Sequence, residues 1–268
     1  MKNITTLLKE YRAINLESIV DFSKFNEYAI THHSTAIEGS TLTKIETSLL
    51  LDEGITPKGK PLLHSLMVTD HYNALLFVLD EAKKNKPLTI DLIRQINARV
   101  MRSTGSVYNT ALGQVDASKG ELRKGNVSVG GHYFVNYDKV EPYTKDLIKK
   151  YNTELPIVKT DKEKLELTFS IHFDLVSIHP FFDGNGRTSR LLMNYLQNCF
   201  KLPLSIVQTE DKADYFAALQ DTRAQGNMQP FFEFMFIQYD KQLSNEIKNF
   251  KESLKQKINP FGGKSLFF

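Results

Sequence analysis

The sequence lacks the features of a secreted or membrane-embedded protein. It contains one cysteine, Cys199, and no tryptophan among 268 residues. A single thiol excludes an intrachain disulfide and fits a reducing compartment, so we predict a cytoplasmic protein. The sequence has no apolar run long enough to cross a bilayer, and its start has no apolar core of signal-peptide length. We therefore predict neither membrane insertion nor secretion.

An excess of charge of one sign is also missing. The 34 lysine and arginine residues are interspersed with 31 aspartate and glutamate residues, and the formal net charge is +3. A nucleic-acid-binding surface needs a basic stripe or patch, so we predict no nucleic-acid partner. Hydrophobic residues make up 41% of the chain, which is enough for a packed core without metal or disulfide staples.

Apolar residues recur at helical spacing through most of the chain, and the predicted fold class is all-α. Thr43 and Glu46 form a capping-box pattern that begins a helix ending near Gly54. The remaining predicted helices cover residues 4–12, 16–38, 62–84, 90–101, 140–151, 161–178, 187–200, 211–224 and 230–257.

Residues 105–137 interrupt the helical pattern because they are rich in glycine, serine and asparagine. Two short β-leaning pieces, 126–129 and 132–135, flank Gly130 and Gly131. This pattern predicts one exposed hairpin. Such a hairpin is a plain connection unless a nearby site needs an edge for docking a peptide.

One segment, residues 178–190, concentrates groups suited to a polyphosphate. Pro180 disfavours helical geometry for His179, so the preceding helix should end there and present the imidazole beside a loop. Residues 183–186 can turn their backbone amides toward an anion, and a helix N-terminus follows. Arg187 and Arg190 lie in its first turn, where cations are otherwise disfavoured.

These groups would together bind the phosphates of a nucleotide. Asp183 is the candidate carboxylate for Mg²⁺, and His179 could accept a proton from an attacking hydroxyl. The alternative is a capped helix-turn-helix with surface arginines and a structural histidine. The co-occurrence of all these groups within one short segment favours the nucleotide site.

Residues 179–190, HPFFDGNGRTSR, resemble the signature of the Fic family, H-x-F-x-D/E-G-N-G-R-x-x-R, at every defined position. The resemblance implies a Fic-type helical bundle with one β-hairpin flap beside the active site. It also implies transfer of AMP from ATP to a hydroxyl of a target protein, with release of pyrophosphate. His179 would then be the general base and Asp183 the Mg²⁺ ligand.

The resemblance also implies which residues bind ATP. Arg187 would contact the β-phosphate and Arg190 the γ-phosphate, and a segment of the target protein would dock on the flap by strand addition. Tyr215 would pack near the adenine or ribose, with a plain core position as the alternative. Arg223 departs from the family pattern, which often has asparagine there, so the nucleobase stays open. The other nucleotide-binding candidates are Gly184, Asn185, Gly186, Thr188 and Ser189 in the motif and Val129, Gly130, Gly131 and His132 in the flap.

Residues 34–39, STAIEG, resemble the inhibitory motif of the same family, S/T-x-x-x-E-G/N. Ser34 and Glu38 lie four residues apart on one helix face, so we expect the serine to steady the carboxylate. Glu38 would pair with Arg190 in bidentate geometry and remove the partner of the γ-phosphate. The alternative is that Glu38 is a surface carboxylate near a helix end.

The resemblance divides the chain into N-terminal helices with the inhibitory motif (1–60), a Fic core (61–240), and a helix end and tail (241–268). Three functions stay open. The chain is an autoinhibited protein adenylyltransferase, or a Fic-fold enzyme that uses another nucleotide or phosphate donor or removes AMP, or a nucleotide-binding module without turnover. The intact His179 favours an enzyme. The target and any homo-oligomer stay open as well.

Overall fold

The computed structural model describes residues 4–16 and 22–258, and helices dominate these ranges. The all-α prediction is confirmed. No helix in the described ranges is long and apolar enough to span a bilayer. The helices are α1 (Ile4–Ala13), α2 (Phe22–Ile37), α3 (Lys44–Glu53), α4 (Leu62–Lys83), α5 (Ile90–Val100), α6 (Tyr137–Glu154), α7 (Asp161–Ile178), α8 (Asn185–Cys199), α9 (Lys212–Gln225) and α10 (Gln229–Ile258).

The helix ends follow local capping chemistry. The Thr43 hydroxyl accepts from the Glu46 backbone N–H at 3.2 Å, and the Glu46 carboxylate accepts from the Thr43 N–H at 2.8 Å. Gly54 then ends α3 in the left-handed region, with φ of 70°. The predicted capping box is therefore confirmed. Of the predicted elements, helix residues 17–21 and the tail from residue 259 lie outside the described part of the chain.

The segment between α5 and α6 contains two hairpins, although the sequence predicted one. In the first, β1 (Val107–Thr110) pairs antiparallel with β2 (Gly113–Asp116). Its turn residues, Ala111 and Leu112, give no hairpin signal, and Leu112 is exposed, so the alternating pattern is lost.

The second hairpin matches the prediction. It pairs β3 (Ser128–Val129) with β4 (His132–Tyr133). Gly130 and Gly131 form its turn with φ of 57° and 81°, which is the backbone that a tight two-residue hairpin needs. We refer to residues 126–135 as the flap.

Helix α8 is buried between the two apolar clusters of the core. Leu191 and Leu192 belong to a cluster built mainly on α4, α5, α7 and α8, whereas Met193 belongs to a cluster with α1, α9 and α10. In the second cluster, Leu7 of α1 and Leu243 of α10 lie together, so the two ends of the described chain share one core. The packing holds the N-terminus of α8 on a rigid support.

Candidate active site

The loop between α7 and α8 carries the motif and begins at a strained histidine. His179 ends α7 in the left-handed region, with φ of 54° and ψ of 60°, and its N–H donates to the Leu175 carbonyl at 3.0 Å. The predicted effect of Pro180 is confirmed, because α7 stops at Ile178. A left-handed backbone costs a non-glycine residue about 1–2 kcal/mol, and functional sites are where such strain concentrates.

The imidazole of His179 has one nitrogen engaged. Nδ1 lies 3.3 Å from the carbonyl oxygen of Val176. Because a carbonyl only accepts, Nδ1 carries the proton and Nε2 keeps its lone pair. The ring stacks on Phe134 of the flap, with centroids 3.9 Å apart. Burial is the main cause that lowers the pKa of His179 to about 4, so the ring is neutral at pH 7 and can accept a proton.

The next part of the loop depends on glycine and on a residue that the sequence did not indicate. Gly184 has φ of 77°, and a Cβ there would lie 2.8 Å from Met101 Sδ and 2.9 Å from Asn97 Nδ2. Asn97 lies on α5, and its Nδ2 donates to the Asp183 carbonyl at 3.0 Å and to the Thr188 hydroxyl at 3.1 Å. Asn97 therefore ties the loop to the first turn of α8.

Three of the predicted nucleotide-binding residues have side chains with partners inside the protein. The Asn185 amide accepts from the Phe181 N–H and donates to the Phe181 carbonyl, each at 2.9 Å. The buried hydroxyl of Thr188 bonds Asn97, and that of Ser189 donates to the Gly186 carbonyl at 2.9 Å. These side chains fix the loop and the helix start, because short polar groups there bond the nearest backbone. The nucleotide contacts expected of these residues stay a prediction.

Arg187 has donors that lack a partner. Its side chain is 3% exposed, and Nη2 lies 3.4 Å from Asp183 Oδ1 and 3.2 Å from Met101 Sδ. Its Nε and Nη1 are buried with no hydrogen-bond partner in the described structure. Unpaired donors on a buried charge are costly, so an anion is the fitting partner. The N-terminus of α8 adds a favourable dipole for it.

Arg190 instead has contacts with α2. Its Nε donates to the Ser34 hydroxyl at 2.9 Å, and its Nη2 donates to the Ser34 carbonyl at 2.9 Å and to Glu38 Oε1 at 2.7 Å. The predicted Glu38–Arg190 pair is therefore present. Two details were wrong: one carboxylate oxygen makes the contact rather than two, and Ser34 bonds Arg190 rather than Glu38.

The carboxylate of Glu38 covers the start of α8. A Cβ on Gly186 would collide with Glu38 Oε1. Burial would raise the pKa of Glu38, but the charges of Arg190 and Arg187 outweigh it and lower the pKa below its ordinary value. Glu38 is therefore ionised at neutral pH. Its negative charge beside the N-terminus of α8 is favourable because of the helix dipole.

Asp183 lies at the open side of the loop. Its side chain is 52% exposed, and Oδ1 accepts from the Gly184 N–H. A carboxylate at a solvent-facing edge fits Mg²⁺, which protein sites bind through one or two carboxylates together with phosphates and water. No group of three or more His, Cys, Asp or Glu side chains suited to a metal occurs among the residues described.

The flap lies against the loop between α7 and α8. Val129 and Tyr133 are 60% and 80% exposed, so they face solvent on either side of the turn. Phe134 follows β4 and stacks on His179. At the root of the flap, buried Arg123 donates from Nε to the His179 carbonyl at 2.8 Å. The sequence analysis missed Phe134 and Arg123, since both act through partners far away along the chain.

Tyr215 lies in the core beneath Arg190. It is 1% exposed, its hydroxyl is 2.9 Å from His172 Nε2, and the Arg190 guanidinium is 6.0 Å from its ring centre. This placement corresponds to the core alternative. Arg223 lies behind the flap, 5.9 Å from the ring centre of Phe134, with Nε 3.4 Å from the Ser177 hydroxyl.

Comparison of the sequence with known proteins identifies relatives. Residues 87–197 match the Fic/DOC family. Protein adenylyltransferase fic-1 of Caenorhabditis elegans is 28% identical over 234 residues, which are 87% of this chain and 43% of that protein. Protein adenylyltransferase Fic of Nematostella vectensis is 32% identical over 209 residues, 76% of this chain and 45% of that protein. The chain thus spans less than half the length of these curated relatives.

Solved structures share the fold. A Fic domain containing signaling protein from Bacteroides thetaiotaomicron superposes with a TM-score of 0.80 at 24% identity, covering 94% of this chain and 98% of that one. Fic-1 from Caenorhabditis elegans gives a TM-score of 0.74 at 23% identity, covering 95% of this chain and 72% of that one. Residues 87–197, which contain the complete motif, therefore belong to the Fic/DOC family.

Proposed function

We propose that this protein is an autoinhibited adenylyltransferase, which transfers AMP from ATP to a hydroxyl side chain of a target protein and releases pyrophosphate. One observation carries the proposal. A neutral imidazole with Nε2 unprotonated stands beside a helix N-terminus at which Arg187 has buried, unpaired donors. A proton acceptor next to a phosphate site is what hydroxyl attack on a nucleotide requires.

The reaction uses these groups in order. The hydroxyl oxygen of the target attacks the α-phosphorus of ATP while its proton passes to Nε2 of His179. The bond from the α-phosphorus to the oxygen shared with the β-phosphate breaks, and pyrophosphate leaves with that electron pair. The donors of Arg187 and the amides at the start of α8 bind the phosphate oxygens on which charge develops. Arg190 holds the γ-phosphate once it is released from Glu38.

Asp183 is the residue that would hold Mg²⁺, since its carboxylate is exposed beside the phosphate position. Mg²⁺ supplies charge neutralisation on the phosphate oxygens when it is bound. The Asp183 carboxylate also stays within reach of Arg187, 3.4 Å away, which keeps the arginine aligned with the loop.

The flap is the proposed docking edge for the target. Within the described chain, β3 and β4 pair with each other, and their side chains are exposed. An extended segment of the target would pair with that edge and bring its hydroxyl to His179. The stacking of Phe134 on His179 supports this, because it joins the docking edge to the base.

Glu38 is the proposed brake. Its carboxylate engages Arg190 and covers Gly186, where the terminal phosphate of a productively bound ATP would lie. ATP would then bind in a nonproductive pose until α2 shifts or Glu38 is replaced. The motif lies in the same chain, so inhibition would need no second protein. The chain's single cysteine supports the proposed cytoplasmic location.

The test compares the wild type, Glu38→Gly and Glu38→Gly/His179→Ala, with Glu53→Gly as a control for loss of an exposed carboxylate on α3. Each protein is incubated with Mg²⁺, a cell lysate, and ATP labelled at the α- or γ-phosphate. We expect protein labelling from α-labelled ATP and none from γ-labelled ATP. Relative to the wild type, the labelling should be stronger with Glu38→Gly, absent with the double variant and unchanged with Glu53→Gly.

Other outcomes separate the alternatives. Equal labelling by the wild type and Glu38→Gly would refute the brake. ATP binding without any α-label on protein would refute adenylyl transfer. Parallel incubations with other labelled nucleotides and with an AMP-modified protein would then distinguish another donor, AMP removal and a binding module without turnover.

A further inference from the structure

Arg123 is buried at the root of the flap, and its guanidinium contacts three separate backbone segments. The residue is 2% exposed. Nε donates to the His179 carbonyl at 2.8 Å, Nη1 donates to the Gly125 carbonyl at 2.9 Å, and Nη2 donates to the Val135 carbonyl. In addition, the backbone N–H of Arg123 donates to the Pro180 carbonyl at 3.0 Å.

These acceptors bracket the flap. Gly125 immediately precedes it and Val135 is its last residue, so one planar group holds both of its ends. The same group holds the catalytic loop at His179. The donors of a guanidinium are fixed in one plane, so the three carbonyl oxygens are held in one arrangement. A flexible ammonium could not hold all three in that way.

The charge of Arg123 has no ionic partner in the described chain. No acidic side chain described there forms an ion pair with it, and burial, with no contribution from a charged neighbour, lowers its pKa. Carbonyl dipoles alone therefore stabilise a buried cation, which is an expensive arrangement compared with an apolar side chain of the same size. Packing by itself does not call for an arginine here.

Two further contacts join the same parts. Phe134 lies in the flap, between the two ends that Arg123 holds, and its ring stacks on His179. A Cβ on Gly125 would lie 3.3 Å from Phe182 Cζ, so the flap root packs closely on the motif loop. Arg123 itself makes no hydrogen bond to Arg187, Arg190 or Asp183 in the described structure. Its contacts lie on the target side of the site rather than on the phosphate side.

We propose that Arg123 is a positioning residue that sets the flap relative to Nε2 of His179, and so places the target hydroxyl for attack. The proposal rests on the proposed function. Because the hydrogen bonds of Arg123 go to the flap ends and to the loop at His179 and Pro180, and none goes to Arg187, Arg190 or Asp183, replacing it should impair transfer to a protein and leave ATP binding intact.

The test uses variants in the Glu38→Gly protein. Arg123→Lys keeps the charge and loses the planar fork, whereas Arg123→Gln keeps a planar donor and loses the charge. Arg94→Lys is the matched control, because Arg94 also donates from Nε to a backbone carbonyl, that of Gly120 at 3.0 Å, away from the flap. The measurements are thermal unfolding, ATP affinity, transfer of α-label to the target, and amide hydrogen exchange.

We expect Arg123→Lys to slow transfer by about 100-fold, the effect of a misplacement of roughly 1 Å, with ATP affinity unchanged. Amides of residues 126–135 should exchange faster in both Arg123 variants, while those of α8 keep their protection. Arg94→Lys should match the parent in all four measurements. If Arg123→Lys lowers the transfer rate at saturating target more than it raises the KM for the target, the defect lies in the alignment of the target hydroxyl rather than in target binding.

Three results would overturn the proposal. The first is unchanged flap exchange and transfer in Arg123→Lys. The second is a loss of ATP binding that parallels the loss of transfer. The third is the absence of a cooperative unfolding transition in both variants, since Arg123 would then support the whole core. If the Glu38→Gly parent transfers no AMP, the proposed function fails, and the exchange comparison still decides whether Arg123 holds the flap.

Discussion

His179 combines a strained backbone with a neutral side chain, and both features have chemical consequences. The left-handed backbone turns the chain out of α7 at His179, the proposed general base. The Val176 carbonyl fixes the tautomer, and Phe134 fixes the ring plane. A histidine held in this way needs little reorganisation before it accepts a proton.

The first prediction concerns the pH dependence of transfer. Because the pKa of His179 is about 4, the base of the free enzyme is neutral above that pH. The kcat/KM of Glu38→Gly should stay near its maximum as the pH falls from about 7 to about 5.5, and should decline as it approaches about 4. Initial rates with α-labelled ATP measure this. A decline centred near pH 6.5, the usual value for histidine, would contradict it.

The second prediction compares two glycines with similar backbones. Gly184 and Gly226 have φ of 77° and 64°, but a Cβ on Gly184 would meet Met101 and Asn97, whereas one on Gly226 would meet nothing. Both alanine variants should lose about 1–2 kcal/mol of unfolding free energy through backbone strain. Gly184→Ala should lose more and also bind ATP more weakly. Equal losses of unfolding free energy for the two variants, measured by urea unfolding, would show that the approach of Met101 and Asn97 to Gly184 is unimportant.

Helix α2 acts as one element because it carries both groups that bind Arg190. Ser34 supplies a hydroxyl and a carbonyl, and Glu38 supplies the carboxylate one turn later. The helix is itself held by contacts at other residues, such as His33, whose Nδ1 accepts from the Thr209 N–H at 3.1 Å. The proposed brake would therefore be released only when several contacts of this packed helix change together.

The third prediction tests the serine. Ser34→Ala removes one acceptor from Arg190, and a hydrogen bond to a charged group is worth about 1.5–3 kcal/mol. We expect α-label transfer to rise above the wild type but to stay below Glu38→Gly, since the carboxylate remains. Ser48→Ala is the control, because that hydroxyl bonds only the Lys44 carbonyl of its own helix. Labelling by Ser34→Ala equal to the wild type would contradict the role.

The fourth prediction concerns the flap hairpin. Gly131 has φ of 81°, which a β-branched residue adopts only with strain. Gly131→Val in the Glu38→Gly protein should distort the docking edge and lower the rate of transfer to protein by at least about tenfold, without changing ATP affinity. Gly59→Val carries the same change at φ of 76° in a loop between α3 and α4 and should leave transfer unchanged. Equal effects of the two variants would count against target docking on the flap.

At the scale of the whole molecule, the core buries several histidines in neutral form. Burial is the largest cause that lowers the pKa of His33 to about 4 and that of His172 to about 3, and it lowers the pKa of His71 well below its ordinary value. In the unfolded chain these side chains titrate near 6.5. The unfolded state therefore binds more protons than the folded state below that pH.

The fifth prediction follows from this difference. The stabilisation that comes from burying these histidines in neutral form is complete above about pH 6.5. It is lost as the pH falls toward the pKa values of the folded state. Between pH 7 and pH 5, His33 and His172 should each account for a loss of about 2 kcal/mol in unfolding free energy. Urea titrations at the two pH values measure it. His172→Gln should show a smaller loss than the wild type, and an identical pH dependence would refute the assignment.

The sequence by itself determined the helices, the flap and the chemical groups that the motif contains. Helix positions, the capping box at Thr43, the flap turn at Gly130 and Gly131, and the end of α7 at His179 all depend on residues close together in the chain. Local backbone preferences and apolar periodicity are enough to specify such features. The β1–β2 hairpin was not predicted because its turn residues carry no local hairpin signal.

Only the tertiary structure decided which groups face one another. Asn97 meets the motif across 86 residues, Arg123 meets His179 across 56, and Arg190 meets Ser34 across 156. No local pattern encodes such pairs, because they depend on how the helices pack around α8. The same packing turned Thr188 and Ser189 inward. It also left donors of Arg187 unpaired beside the N-terminus of α8, a position that suits an anion.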